Sequence, residues 1–471
     1  MENGTRLVPY VTRIALFASI LLCLGFILPN AQLIAAGESK DFDLSKLVNC
    51  YDWVDIGGQL RFRGEYRDNY DLKSPSHTLT DNDEFVLGRF RLWARLTPSP
   101  SFRAFLELQS AWVWESENIN TDLPSVGGGN IFQDRIDIQQ AYVDIYPGQE
   151  KIPLYLRLGR QNLDYGRQRL IGSFQWANVA RSFDAVRFRY DDKTWWADAY
   201  IAQVVVHDDN RFNDSDNDLP NPADDSTFYS IYGGYRGLSL ANIELYWILR
   251  DNDNAGDQKI HTFGTRFEGK HRQWDYDGEF AYQFGDWTDR IDHNAFAVHL
   301  GSGYTFTQIK SKPRIGIQYN FATGDDDPRD NDHETFDNLF PTNHLHYGYI
   351  DFFSWRNIHN LQLGLKVAPT ERLWIKTHLH FFWIDEDADQ WYNARGGATA
   401  GIRPSANRVA DSYIGEELDI IINYVPDLPC LGKTLSVQIG YSHFWSEDFV
   451  KDAIGENDDA DFAYVQTLLK F

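Results

Sequence analysis

The run Val86-Leu87-Gly88-Arg89-Phe90-Arg91-Leu92-Trp93-Ala94-Arg95-Leu96-Thr97, the turn Pro98-Ser99-Pro100-Ser101 and the run beginning Phe102-Arg103-Ala104-Phe105-Leu106-Glu107 decide the fold class. Val86, Phe90, Leu92, Ala94 and Leu96 take one face of the first run, and Arg89, Arg91 and Arg95 take the other. A period of two is the signature of a β-strand. An apolar face backed by guanidinium groups suits a strand with lipid on one side and water on the other. The reverse orientation is disfavoured, because an Arg facing mid-membrane lipid costs about 2 to 4 kcal/mol.

Outward from this pair, about 18 segments alternate in the same way, most of them about ten residues long, enough for a tilted strand to cross the hydrocarbon core. The connections alternate between short and long. Thr97 to Ser101, Pro147 to Pro153, Asp191 to Thr194, Arg236 to Ser239, Ala368 to Arg372 and Val425 to Lys433 are short. Asp68 to Glu84, Glu115 to Arg135, Asn162 to Phe183, His207 to Asp225, Gly324 to His359 and Asp385 to Ile414 are long. A soluble sandwich has no reason to sort its loops this way, whereas a bacterial barrel has short periplasmic turns and long extracellular loops. The last run places Ala463, Val465, Thr467, Leu469 and Phe471 on one face and Gln466 and Lys470 on the other. The expected fold is all-β: a transmembrane antiparallel β-barrel of about 18 strands in the outer membrane.

Composition agrees. Aromatic residues make up 15% of the 471 residues and charged residues 24%, and the mean hydropathy is -0.46. A helical membrane protein needs several apolar runs of about 20 residues, and none follows position 30. Residues 1–37 read as a signal peptide, with Arg6 and Arg13 ahead of the apolar stretch Ile14 to Leu28 and the small residues Ala35, Ala36 and Gly37 at the cleavage site. Residues 38–52 then form a short periplasmic segment and residues 53–471 the barrel. Cys50 and Cys430 remain after cleavage, too few for a disulfide scaffold or a cysteine zinc site. Both fall at the periplasmic rim, where a bridge between them is chemically permitted.

Sorting by face puts Arg61, Arg63, Arg89, Arg91, Arg95, Arg103, Arg157, Arg187, Arg189, Arg266, Arg314, Lys366, Lys376, His378 and His380 in the lumen. Arginine stays charged at any relevant pH and grips carboxylates bidentately, so the guanidinium groups of the early strands are candidate pore residues. The formal net charge of -24 does not contradict a basic pore, because the acids gather in segments such as Asp208 to Asp225, Gly324 to Asp337 and Asp385 to Asp389. Glu65, Glu107, Asp198, Asp275, Asp277, Glu279, Glu417 and Asp419 are also luminal. A basic arc therefore faces a more acidic one. Either these charges pair across the barrel for stability, or unpaired arginines at a constriction make an anion-selective path.

The stretch Leu158-Gly159-Arg160-Gln161, with Tyr165-Gly166, Arg169-Leu170-Ile171-Gly172, Trp176 and Arg181-Ser182-Phe183-Asp184, resembles the signature region of the bacterial alginate-export porin family. The Arg-rich strand Phe90 to Arg95 and the strand Gln140-Ala141-Tyr142-Val143-Asp144 extend the resemblance, which spans roughly residues 55 to 471. It implies a single-chain barrel of 18 strands that passes an anionic uronate polysaccharide passively through an arginine-rich constriction. Arg160, Arg169 and Arg181 are the candidates it implies in the signature, with Arg89, Arg91 and Arg95 from the Arg-rich strand. Strict alternation from Leu158 turns Arg160 outward, so pore contact requires a bulge or the strand end to re-aim it. The signature loop reads either as an inward constriction or as a packed extracellular lid.

The function expected is an outer-membrane channel for anionic polysaccharide or oligosaccharide of the alginate type. The alternative is a general diffusion porin with no polyuronate preference. An enzyme is not expected: Ser442 and His443 are neighbours whose side chains point to opposite faces of a strand. The partners expected are the saccharide, outer-membrane lipid and the barrel assembly machinery; no nucleic acid is expected, and the barrel's size permits a monomer. No cofactor is required, although Asp214, Asp216 and Asp218 alternate as weak Ca²⁺ candidates. An EF-hand starting at Asp251 is excluded, since residue 262 is Thr where that loop needs Glu.

Overall fold

The computed structural model describes residues 52–70, 82–117, 131–149, 151–208, 212–213, 215, 226–253, 256–397, 412–427, 435–454 and 458–471. The expected signal peptide, Cys50, Cys430, Asp214, Asp216 and Asp218 lie outside the described residues. The strands are β1 (Val54–Asp68), β2 (Asn82–Ser99), β3 (Phe102–Trp114), β4 (Asp134–Ile145), β5 (Leu154–Gln161) and β6 (Phe183–Asp191). They continue with β7 (Trp195–Val204), β8 (Thr227–Tyr235), β9 (Ala241–Asn252), β10 (Gln258–His271), β11 (Trp274–Thr288) and β12 (Ile291–Thr305). Last come β13 (Arg314–Ala322), β14 (Asp332–His333), β15 (Ile358–Thr370), β16 (Leu373–Trp383), β17 (Tyr413–Tyr424), β18 (Leu435–Ser446) and β19 (Ala460–Lys470). A short helix α1 (Asp448–Ile454) follows β18. The two-residue β14 lies parallel beside the start of β12, inside the connection from β13 to β15. The other eighteen strands form an antiparallel sheet that closes on itself where β1 pairs with β19.

Closure depends on local chemistry at one glycine. Gly58 donates its N–H to the Phe471 carbonyl at 2.8 Å and accepts the Phe471 N–H at 3.0 Å. The Phe471 ring crosses the position a side chain would take: a Cβ on Gly58 would lie 2.5 Å from the Arg91 carbonyl oxygen and 2.7 Å from the Phe471 ring. The final aromatic thus seals the barrel on the strand that carries Arg61 and Arg63.

The outer surface follows the alternation. Phe90, Leu92, Leu106, Val186, Ile201, Ile231, Leu245, Phe263, Leu300, Ile317 and Leu365 are exposed large hydrophobics along the strands. Near the periplasmic ends the girdle contains the paired rings Trp195–Tyr235 (4.3 Å) and Trp274–Tyr304 (5.1 Å). Aromatic belts of this kind mark the headgroup level. No helix among the described residues is long and apolar enough to cross a membrane.

The short–long rhythm of connections holds with two exceptions. Between β11 and β12 only Asp289 and Arg290 intervene, and between β9 and β10 only residues 253–257. Here β10, β11 and β12, of 14, 15 and 15 residues, extend far enough to be joined by a tight turn. At these two places the sequence expectation of strict alternation is corrected.

The hydrophobic core sits inside the barrel. Two connections turn inward, residues 162–182 between β5 and β6 and residues 323–357 between β13 and β15. They join through Phe340: Gly172 donates to its carbonyl at 2.9 Å, and its own N–H donates to the Leu170 carbonyl at 2.8 Å. Leu163, Leu170 and Ile171 of the first loop and Phe336, Tyr347, Phe353 and Trp355 of the second are buried against wall residues such as Phe183, Phe228, Phe382 and Phe444. Burying a large apolar side chain is worth roughly 1.5 to 3 kcal/mol, so these loops are packed elements rather than loose covers. Gly348, at φ 91°, lets the chain approach the wall closely, where Ile350 donates its N–H to Glu417 at 2.9 Å.

Candidate substrate path

The basic arc of β1 and β2 is assembled as the alternation requires. Arg61 and Arg89 are directly opposite in the β1–β2 register, and both are buried together with Arg63 and Arg91. The chain that meets them is the 162–182 loop. Arg61 donates to the carbonyl oxygens of Gln175 (3.1 Å), Trp176 (3.1 Å) and Ala177 (2.9 Å) and to Asn178 Oδ1 (3.0 Å). Arg89 donates to the carbonyls of Gln175 (3.1 Å) and Ala177 (3.0 Å). Arg91 reaches Gln109 Oε1 and Gln175 Oε1, each at 2.7 Å, and lies 3.5 Å from Glu107. Arg63 is shared between Glu65, at 2.6 Å, and the Trp176 carbonyl. The signature loop runs inward and packs against the arginines of β1 and β2.

Carbonyl oxygens bond the Arg61 and Arg89 guanidinium groups without neutralising them. A carboxylate carries a full negative charge, whereas a carbonyl carries only a dipole. Neither Arg61 nor Arg89 has a carboxylate within ion-pair distance among the described residues. Among the described residues, the five guanidinium groups of Arg61, Arg63, Arg67, Arg89 and Arg91 have two carboxylates within ion-pair distance, Glu65 and Glu107. The arc keeps its positive field while a layer of loop backbone covers its donors.

The remaining predicted arginines are distributed. Arg157 pairs with Asp144 through Nε (2.6 Å) and Nη2 (2.9 Å) and lies 3.8 Å over the Tyr142 ring. Arg187 and Arg189 share Asp198, at 2.7 and 3.0 Å, and Arg189 also pairs with Asp191. Arg95, at the periplasmic end of β2, is half-exposed and 3.7 Å from Asp55. Arg160 stands apart from the β1–β2 group. It is directly opposite Asp184 in the β5–β6 register and grips it through Nε (2.9 Å) and Nη2 (3.0 Å). Gly159, at φ 119°, bends the strand beside it. Arg181 donates to the carbonyls of Gly172, Phe340 and Pro341, each at 2.9 Å, and so staples the two inward loops together. Burial lowers the Arg181 pKa to about 10, which leaves it charged at neutral pH. Arg169 points from the loop towards the acidic arc, 3.7 Å from Glu279 and 4.0 Å from Asp277.

A second cationic feature crosses β13, β15 and β16. Arg314, Lys366 and Lys376 occupy one row, since Arg314 is opposite Lys366 and Lys366 is opposite Lys376. Arg314 is bonded to Asp275, with Nε 2.9 Å from Oδ2. The two lysines have no carboxylate partner among the described residues; their nearest ring contacts are Trp374 at 5.4 Å and Tyr349 at 6.0 Å. Like charges directly opposite one another destabilise a strand pair. The row lines a cavity of about 430 Å³ between the wall and the inward loops, together with Arg169, His346 and His378. The alternation located each lysine inside but did not single the pair out, because their lack of partners depends on which acids the neighbouring strands bring.

Ser442 and His443 serve different acids: Ser442 donates to Asp419 at 2.6 Å, and His443 contacts Asp461 at 2.9 Å. They do not form a nucleophile–base pair.

A family profile described as alginate export matches residues 52–464. The chain belongs to the alginate-export family. Curated proteins include none that match this sequence. Among solved structures, this family member is similar to Acinetobacter baumannii OccAB4, with a TM-score of 0.59 at 13% identity over 90% of this chain and 100% of that one. It is also similar to Acinetobacter baumannii OccAB1 (0.59, 12%, 88% and 97%) and to Pseudomonas aeruginosa OccD3 (0.55, 10%, 88% and 91%). Identities this low show the fold alone. Family and fold together make this alginate-export protein an outer-membrane channel barrel.

Proposed function

We propose that the protein passes anionic saccharides of the polyuronate class passively across the outer membrane, selecting them by charge. The observation that supports this reading most is the Lys366–Lys376 pair, two cations in register on the luminal wall with no carboxylate within ion-pair distance among the described residues. A uronate carboxylate supplies the missing charge, and a mobile ammonium releases it again, as conduction through weak, repeated sites requires. The covered arc of Arg61 and Arg89 adds long-range attraction without a sticky contact. The barrel functions as a single chain in this reading, and its last strand is what the barrel assembly machinery engages.

The competing reading is a general diffusion porin, favoured by the ion pairs that neutralise Arg157, Arg187 and Arg189. Planar-bilayer recordings separate the two. Oligouronates should block the open-channel current at concentrations where neutral oligosaccharides of equal length do not. Equal block by both, or block by neither, would establish the general porin instead.

A further inference from the structure

Before turning into the lumen, the β13–β15 connection makes an outward excursion over residues 327–333. Asp325 and Asp326 stand where it leaves and Glu334 where it returns. One carboxylate oxygen from each of these three residues lies within 4.8 Å of the other two. Asp325 is only 5% exposed, and its Oδ1 is buried with no hydrogen-bond donor. Asp326 is exposed and Glu334 half-buried, so the group opens to the outer solution.

The neighbouring acids are satisfied differently. Asp385 accepts the Gly324 N–H at 3.0 Å and contacts His359 at 3.0 Å. Asp389 accepts the Asp325 N–H (3.2 Å), the Thr335 hydroxyl (2.5 Å) and the Tyr392 hydroxyl (2.7 Å). These bonds fix the backbone that carries the trio, and among the described residues no cation lies within ion-pair distance of the trio. A buried oxygen with no donor is costly, and three carboxylates held together repel one another. A hard divalent ion relieves both. The donors are all oxygen, which disfavours the metals that seek imidazole or thiolate. Two oxygens bound to one Ca²⁺ at 2.3–2.6 Å can stand up to about 5 Å apart, a span the trio fits. Waters entering from the open side would complete the six to eight ligands that Ca²⁺ takes.

We propose that Asp325, Asp326 and Glu334 form a divalent-cation site of the calcium class at the outer mouth, fastening the start and the end of the 327–333 excursion. This proposal is independent of what the channel carries. Arg329, 93% exposed within the excursion, reports on it because trypsin cleaves after arginine.

The test uses the full barrel in detergent micelles, stripped with chelator and then titrated with CaCl₂. Calorimetry should show binding, and Ca²⁺ should slow tryptic cleavage at Arg329. In the double variant Asp325→Asn/Glu334→Gln, affinity should fall about tenfold or more with the lost ligand charge, and the protection should disappear. Folding of the variant is checked by its heat-shifted mobility on gels; if it fails to fold, Asp326→Asn at the exposed position replaces it. Cleavage at Arg329 at the same rate in Ca²⁺ and in chelator would overturn the proposal. So would a folded variant that keeps the original affinity, since the ion would then be bound by other acidic segments.

Discussion

Arg63 holds Trp176 twice: its guanidinium lies 3.7 Å over the indole ring and donates to the same residue's carbonyl oxygen at 2.8 Å. A cation over an indole contributes up to about 2 kcal/mol when desolvated, and a hydrogen bond from a charged donor about 1.5 to 3 kcal/mol. The inward loop is therefore clamped to the wall through one residue, and Arg61 and Arg89 hold the residues on either side of it.

The clamp makes the loop's position testable. Arg61→Met removes donors to Gln175, Trp176, Ala177 and Asn178 while preserving apolar bulk. The Trp176 and Ala177 carbonyls keep Arg63 and Arg89, so a complete loss of structure is not expected. Single-channel recordings should show larger and noisier conductance as the loop loosens. A trace indistinguishable from the parent protein would mean that the loop does not shape the path.

Selectivity should respond to the Lys366–Lys376 pair more than to the neutralised arginines. Lys366→Gln/Lys376→Gln removes two positive charges that have no carboxylate partner among the described residues, so the reversal potential in a salt gradient should move towards cations. Arg157→Gln, which also releases Asp144 to carry its own charge, should shift it in the same sense and destabilise the wall. If the lysine variant leaves the reversal potential where it was, the proposed anion subsite is excluded.

The seam gives a folding prediction. Gly58→Val places a branched side chain where the Arg91 carbonyl and the Phe471 ring leave no space. The β1–β19 pairing should be disrupted, and the heat-resistant band of the closed barrel on cold gels should weaken or vanish. A normal yield of that band would show that the Phe471 ring can swing aside at little cost.

The docking of the second inward loop should fail in strong acid. Burial alone would raise the Asp337 carboxyl, but Arg250 and Arg356 outweigh it and hold its pKa at about 2; Arg250 bonds it at 2.6 Å, and His293 also faces it. A carboxyl lowered in the folded state stabilises that state above its unfolded value, about 3.9, and the contribution is lost as pH falls through about 2. The difference corresponds to roughly 2 to 3 kcal/mol. Proteolysis or hydrogen exchange of residues 323–357 should stay constant down to about pH 4 and accelerate below it. Asp337→Asn should show the faster rate already at neutral pH. An unchanged acid profile in that variant would assign the transition to another group.

How much of this was legible in the residues differs by level. Period two in the backbone pattern located the strands, including the weak segments around Tyr142, Tyr232 and Val298, because each stave must show lipid one side chain in two. The seam was readable for the same reason, with Val465 meeting Gly64 and Thr467 meeting Phe62. The inward arginines of β1 and β2 were found by face alone. Their partners were not, since nothing local to Arg61 specifies that Ala177, 116 positions later, will supply its acceptor. The inward course of residues 323–357 was equally hidden: it is an Asp-rich segment at one end and an aromatic core at the other, with no period to read. The turn at Asp289-Arg290 has no signal of its own in the residues, because the strands around it alternate without a break.

Arg61 and Arg89 grip main-chain oxygens at positions 175 and 177, an atom that every amino acid possesses. The hold of Arg61 and Arg89 is therefore indifferent to what Gln175 and Ala177 carry on their α-carbons; the added bond from Arg91 uses the Gln175 side chain. This loop can be altered at position 177 by point substitution while its two arginine anchors stay in place.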